Sequence, residues 1–192
     1  MALNSGCLHP VPANQAARQL CPQCGLCCNG VLFTDVRISD PAEAEALLKL
    51  GVDLRRRSDK WRLPQPCPCF DGSLCRVYDH RPARCRSFAC GVLQRVIQRQ
   101  ITLDQAREIV LRTRRALAAV ERALAGTGSA SPARPLRHRV ARALAGPVDL
   151  SRPGGPSAQG RLLRAFERLN RLLQDEFLAL RPAPSDRGDR EP

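Results

Sequence analysis

Residues 64–90, "PQPCPCFDGSLCRVYDHRPARCRSFAC", set the tightest limit on how this chain folds. Prolines and a glycine interrupt the stretch too often for a long helix or strand, so backbone ladders cannot hold it in place. Five cysteines lie within it: Cys67, Cys69, Cys75, Cys85 and Cys90. A second concentration of thiols, "CPQCGLCC", occupies residues 21–28. Bonds from sulfur to metal can take over the role of a missing core in such a segment.

Disulfides are the competing use for so many thiols. The first twenty residues carry no basic start followed by an apolar block, so a secretory leader is not expected and the cytoplasm is the default compartment. In a reducing compartment, ten cysteines read as metal binding or redox chemistry. Geometry adds a constraint at Cys27 and Cys28. Neighbouring α-carbons stand about 3.8 Å apart, closer than a relaxed disulfide prefers. The two thiols therefore serve different centres, or one ligates while the other packs or reacts.

Cys21, Cys24 and Cys27 repeat at intervals of three, which lets thiolates converge on one metal while nearby amides point at the sulfurs. Gly25 permits the tight turn between them. The triplet also matches the first ligands of a bacterial ferredoxin run, but no Cys-Pro follows three residues later. Arg76, Arg81, Arg84 and Arg86 interleave with the second thiol cluster, where they can balance thiolate charge and donate hydrogen bonds to sulfur.

Around the thiols the sequence reads as mainly α, with a small irregular, metal-organised cysteine-rich module, α+β at most. Residues 1–20 read as an irregular N-terminus, 21–100 as the cysteine module, 101–180 as a helical region and 181–192 as a disordered tail. A short strand is expected over 31–38. A helix follows from Asp40 as N-cap and Pro41 in the first turn, closed by Gly51. Thr102 and Gln105 stand at capping-box spacing. Leu103, Ala106, Val110, Thr113, Leu117, Val120 and Leu124 then form an apolar stripe ended by Gly126. A shorter helix is expected over 136–144, and a last apolar face runs through Leu162, Phe166, Leu169, Leu173, Phe177 and Leu180. Packing within one chain is the expected use of these faces, with a protein partner as the alternative.

The net charge is +13, carried almost wholly by arginine. It divides evenly, +6 in residues 1–100 and +7 in 101–192, which argues against one basic patch without excluding non-specific attraction to nucleic acid or anionic surfaces. Nucleic acid is not the expected partner because the sequence has no aromatic-basic alternation and no Cys-Cys-His-His finger. No run of about 18 apolar residues implies a membrane span. Nucleotide loops, zinc-protease helices and Ser-His-Asp patterns are not found.

"CPQCGLCC", taken with "CRVYDHRPARCRSF", closely resembles the CxxCxxCC cysteine-cluster family, also called YkgJ-type, over roughly residues 21–90. The resemblance implies a zinc- or iron-chelating domain with Cys21, Cys24, Cys27, Cys28, Cys67, Cys75, Cys85 and Cys90 as ligands. It sets Cys69 aside as extra and leaves Cys7 as a free thiol. It also marks Tyr78, Arg81, Pro82, Arg86 and Phe88: Pro82 to fix a turn, Tyr78 and Phe88 to shield the site, the arginines to balance charge. His80 falls at a variable position and is expected at the surface. Three readings follow, in descending order: a metal-binding protein holding zinc or iron; an iron–sulfur enzyme for electron transfer or protein modification; a basic zinc module binding nucleic acid.

Overall fold

The computed structural model describes residues 13–128, 132–146 and 157–178. Cys7, Leu180 and the C-terminal tail lie outside the described residues. Among the described residues, seven α-helices and one small sheet make the fold mainly α, as the sequence implies. The helices are α1 (Ala13–Cys24), α2 (Pro41–Lys49), α3 (Ala83–Ser87), α4 (Gly91–Ile97), α5 (Leu103–Ala125), α6 (Leu136–Leu144) and α7 (Ala158–Leu172). The strands are β1 (Asp35–Ile38), β2 (Arg55–Arg57) and β3 (Lys60–Pro64).

Local chemistry explains the elements that the sequence announces. Asp40 caps α2 by accepting from the Ala42 N–H at 2.9 Å, and Pro41 opens the first turn. Thr102 and Gln105 complete a reciprocal capping box at the start of α5. Ala106, Val110, Thr113, Val120 and Leu124 are buried along α5, so the stripe is the packed face. Thr113 keeps its place there because its hydroxyl donates to the Ile109 carbonyl at 2.8 Å. A polar group so satisfied costs little to bury.

Two elements differ from expectation. The segment expected to be irregular before residue 20 is helical from Ala13, and the helix carries Cys21 and Cys24 in its last turn. Ala16 and Leu20 are buried and anchor it to the core, a tertiary gain that overrides the proline at position 22. The arginine-rich stretch after residue 52 forms the β2–β3 hairpin. Its turn residues, Ser58 and Asp59, both take positive φ, at 47° and 58°, the conformation of a tight hairpin turn.

Two apolar clusters organise the chain. The larger joins α1, α4, α5, α6 and α7, with Leu26, Val92, Val120, Leu162 and Leu169 fully or almost fully buried. It therefore runs from the N-terminal helix to the last one, and α5 packs on both α1 and α7. α7 continues into a π-helical turn, Leu173–Leu178, where Glu176 meets Arg95 of α4 at 2.5 Å and Arg112 of α5 at 2.6 Å. The smaller cluster lies under the sheet and α2, with Ile38, Ala44, Leu47 and Leu63 buried. Strand order is β1-β3-β2, antiparallel throughout, with Val36 opposite Leu63 and Ile38 opposite Trp61 on the covered face. Among the described residues no helix is long and apolar enough to cross a membrane.

Candidate metal centre

The thiols sit on the seam between the two clusters. Cys24 and Cys90 pack against the larger one; Cys67 and Cys69 belong to the smaller one, with Cys28 and Cys75 packed beside them. The turn after α1 makes the division. Gly25 takes φ +67, and its N–H donates to the Cys21 carbonyl at 3.1 Å. The Gly25 carbonyl in turn accepts from the amides of Cys28 at 2.9 Å and Asn29 at 3.0 Å. The chain then crosses the seam, and the Cys67 amide donates to the Cys28 carbonyl at 2.7 Å, tying the first thiol run to the second.

Electrostatic neighbours sort the thiols in the same way. Cys21, Cys24 and Cys27 each feel Cys90; Cys24 also feels Cys21, and Cys27 feels Cys24, Cys28 and Cys21. Cys28 feels Cys67, Cys85 and Cys75. Cys85 likewise feels Cys67 and Cys75. Most of these interactions lie within two sets, Cys21, Cys24, Cys27 and Cys90, and Cys28, Cys67, Cys75 and Cys85, while Cys27 also feels Cys28 and Cys28 also feels Cys21 across them. Cys69 adjoins the second group through its thiol, which donates to the Cys67 sulfur.

Burial and mutual repulsion make these poor thiolates without a counter-charge. Burial first, then neighbouring thiolates, push Cys28 up to about 12 and Cys85 to about 11. Cys21 reaches about 11 by the same causes, although the residue is exposed. Cys24 rises to about 12, mainly through burial. Cys27, held up first by burial and then by its thiol neighbours, is raised well above the ordinary thiol range. A cation entering either group would reverse this balance, because it stabilises the charged form that burial disfavours.

Backbone amides already face several sulfurs. The Leu26 N–H serves Cys24, those of Cys69 and Phe70 serve Cys67, and those of Val92 and Leu93 serve Cys90. Each is two or three residues beyond its cysteine, the arrangement that lowers the cost of a thiolate. Donor type and supporting amides therefore fit a thiophilic metal. The sulfurs are gathered but not converged: among the described residues no three Cys, His, Asp or Glu side chains already stand in metal-holding geometry. Closing either group requires its sulfurs to draw inward.

The arginines have partly different roles from those expected. Arg76 donates to the Pro68 carbonyl at 2.5 Å, and Arg86 to the Arg81 carbonyl, so both brace loops through backbone oxygens. Arg84 is exposed. Arg81 is the one whose charge reaches both groups, lowering the cost of a thiolate at Cys21 and at Cys85. Its Nε donates to the Tyr78 carbonyl at 2.9 Å, and its guanidinium lies 3.6 Å from the Tyr78 ring centroid. Arg114 of α5 and Arg95 of α4 act on Cys24 and Cys90 from outside the motif. Helix periodicity places residues on faces but does not say which loop a face meets, so these two were not legible in sequence.

Pro82 opens α3, and its carbonyl accepts from the Cys85 amide at 2.8 Å. Glu43 of α2 supplies the cap that α3 lacks, accepting from the Ala83 N–H at 2.8 Å and from Arg86 at 3.3 Å. Phe88 is exposed and meets Phe33 edge to face, with ring centroids 5.0 Å apart. Phe70, which no motif singles out, is the aromatic that closes on the first thiol turn: a β-carbon on Gly25 would stand 2.7 Å from its ring. His80 is exposed, as expected.

No match was found among curated proteins or solved structures. Residues 20–106, the stretch that carries all eight of these cysteines, match the model of the CxxCxxCC family, described as a "Putative zinc- or iron-chelating domain".

Proposed function

We propose that the chain holds zinc or iron at two four-thiolate centres, one formed by Cys21, Cys24, Cys27 and Cys90, the other by Cys28, Cys67, Cys75 and Cys85. The observation that carries this reading is that Cys24 and Cys90 pack against the helical cluster while Cys28, Cys67 and Cys75 pack with the cluster under the sheet. One centre drawing on both runs at random would not need that separation. Four thiolates on a divalent ion leave a net charge near −2, and Arg81, which faces both groups, offsets part of it. Elemental analysis of the full chain purified without oxygen is the test: two metals per chain support the reading, and a metal-free chain with intact thiols contradicts it.

An iron–sulfur cluster is the second reading, for the first group alone. The Cys-x-x-Cys-x-x-Cys run lacks its usual fourth cysteine in sequence, and Cys90 stands beside the triplet in that role. When bound, such a cluster would supply one-electron chemistry. Visible absorption that bleaches on oxidation favours it; a colourless, zinc-loaded chain removes it.

A further inference from the structure

Charge that is spread evenly along the sequence is not spread evenly over the fold. The sheet has one face covered by α2 and the smaller cluster, and one face turned away. Registers place Arg37, Arg62 and Arg55 abreast across β1, β3 and β2, and Lys60 and Arg57 abreast in the next row. Alternation puts all five on the outer face, opposite Ile38 and Leu63. Arg37, Arg55, Arg57 and Lys60 are exposed. Among the described residues of the three strands, Asp35 is the one acid on this face, and it is taken by Arg62 at 2.8 Å. Asp59 of the turn reaches Arg56, which lies on the other face over Trp61.

Such an array has a cost. Cations directly opposite one another in a sheet destabilise it. Protecting the exposed edge of β2 against strand pairing would account for one or two charged residues there. It does not account for a row that continues through the central strand to β1.

We infer that this outer sheet face is a docking surface for the phosphodiester backbone of a nucleic acid, bound without sequence preference. Charge complementarity names the partner. Cations stand about 5 Å apart across the strands and about 7 Å apart along them, a grid that meets repeated anions rather than one. Four of the five are arginines, whose planar fork matches phosphate oxygens in pairs. Among the described residues, the strands place no aromatic side chain on this face to stack a base and no large apolar side chain to enter a lipid layer. Contact is therefore with the backbone, not the bases.

The test uses the full, metal-loaded chain and fluorescent single-stranded and duplex oligonucleotides. One variant carries Arg37→Glu, Arg55→Glu and Arg57→Glu. A control carries Arg115→Glu, Arg122→Glu and Arg137→Glu, exposed positions on α5 and α6 with the same change in net charge. Binding by the native chain should weaken steeply with salt. The sheet variant should bind at least tenfold more weakly, with a salt slope shallower by about 2 for a single strand, while the control stays within about threefold and all three keep equal metal content. Equal losses in both variants would overturn the inference, as would no binding at low salt. Tighter binding to phosphatidylserine vesicles or polyglutamate than to either oligonucleotide would overturn it too.

Discussion

Cys27 and Cys28 are adjacent in the chain, yet the thiol that acts most strongly on Cys27 is Cys90, and the one that acts most strongly on Cys28 is Cys67. The turn that carries the pair joins two packing environments. The Cys28 carbonyl, bonded to the Cys67 amide, belongs with the sheet. Cys24, three residues before Cys27, packs against the helices.

Gly25 makes that crossing possible, and its replacement is informative. Alanine at φ +67 costs about 1–2 kcal/mol from the backbone alone, and its β-carbon would meet the Phe70 ring. Gly25→Ala should lower the thermal midpoint clearly. Adding Phe70→Leu should recover the steric share but not the backbone share. Full recovery in the double variant would mean that the turn is not strained as described.

Glu176 joins α4 and α5 to the last turn of the chain through Arg95 and Arg112. Glu176 and Arg95 are mostly buried, and charged hydrogen bonds of this kind contribute about 1.5–3 kcal/mol. Glu176→Gln should destabilise the chain by about that amount in urea titration. Arg95 also acts on Cys90, so metal content is read alongside: its loss would show that the Glu176–Arg95 pair supports that thiol.

Raised thiol pKa values bear on stability with a definite sign. A thiol ordinarily near 9 that is held at 11–12 by burial favours the folded state fully while both states are protonated. Above pH 9 the unfolded chain ionises first, so that stability is lost progressively between about pH 9 and 12. The metal-free chain should therefore lose thermal stability as pH rises through this window, read by circular dichroism. The metal-loaded chain should lose less there and should instead lose metal as pH falls, because protons compete for sulfur.

How much of this was legible in sequence depends on range. The caps at Asp40 and Thr102, the α5 stripe and the 136–144 helix were readable, because each rests on chemistry within one or two turns. The gathering of the eight cysteines was readable from spacing and family resemblance together. The proposed division into two fours was not: it depends on where α1 and α4 pack, a consequence of contacts far apart in sequence. α1 itself was hidden by Pro22 and by the absence of an acidic first turn. The β2–β3 hairpin was hidden because Arg55–Arg57 alternate between faces with no apolar residue to mark them. For the same reason net charge in each half of the chain gave no sign of the basic sheet face.

Metal content of Cys27→Ser and Cys28→Ser, each compared with the native chain after anaerobic purification, tests the central claim most directly. Two separate centres predict that each variant keeps the metal of one centre. Adding Cys90→Ser to Cys27→Ser should then cause no further loss, whereas adding it to Cys28→Ser should remove the remaining metal. If either single variant lost all its metal, or if Cys90→Ser subtracted equally from both backgrounds, the division into two four-thiolate centres would be contradicted.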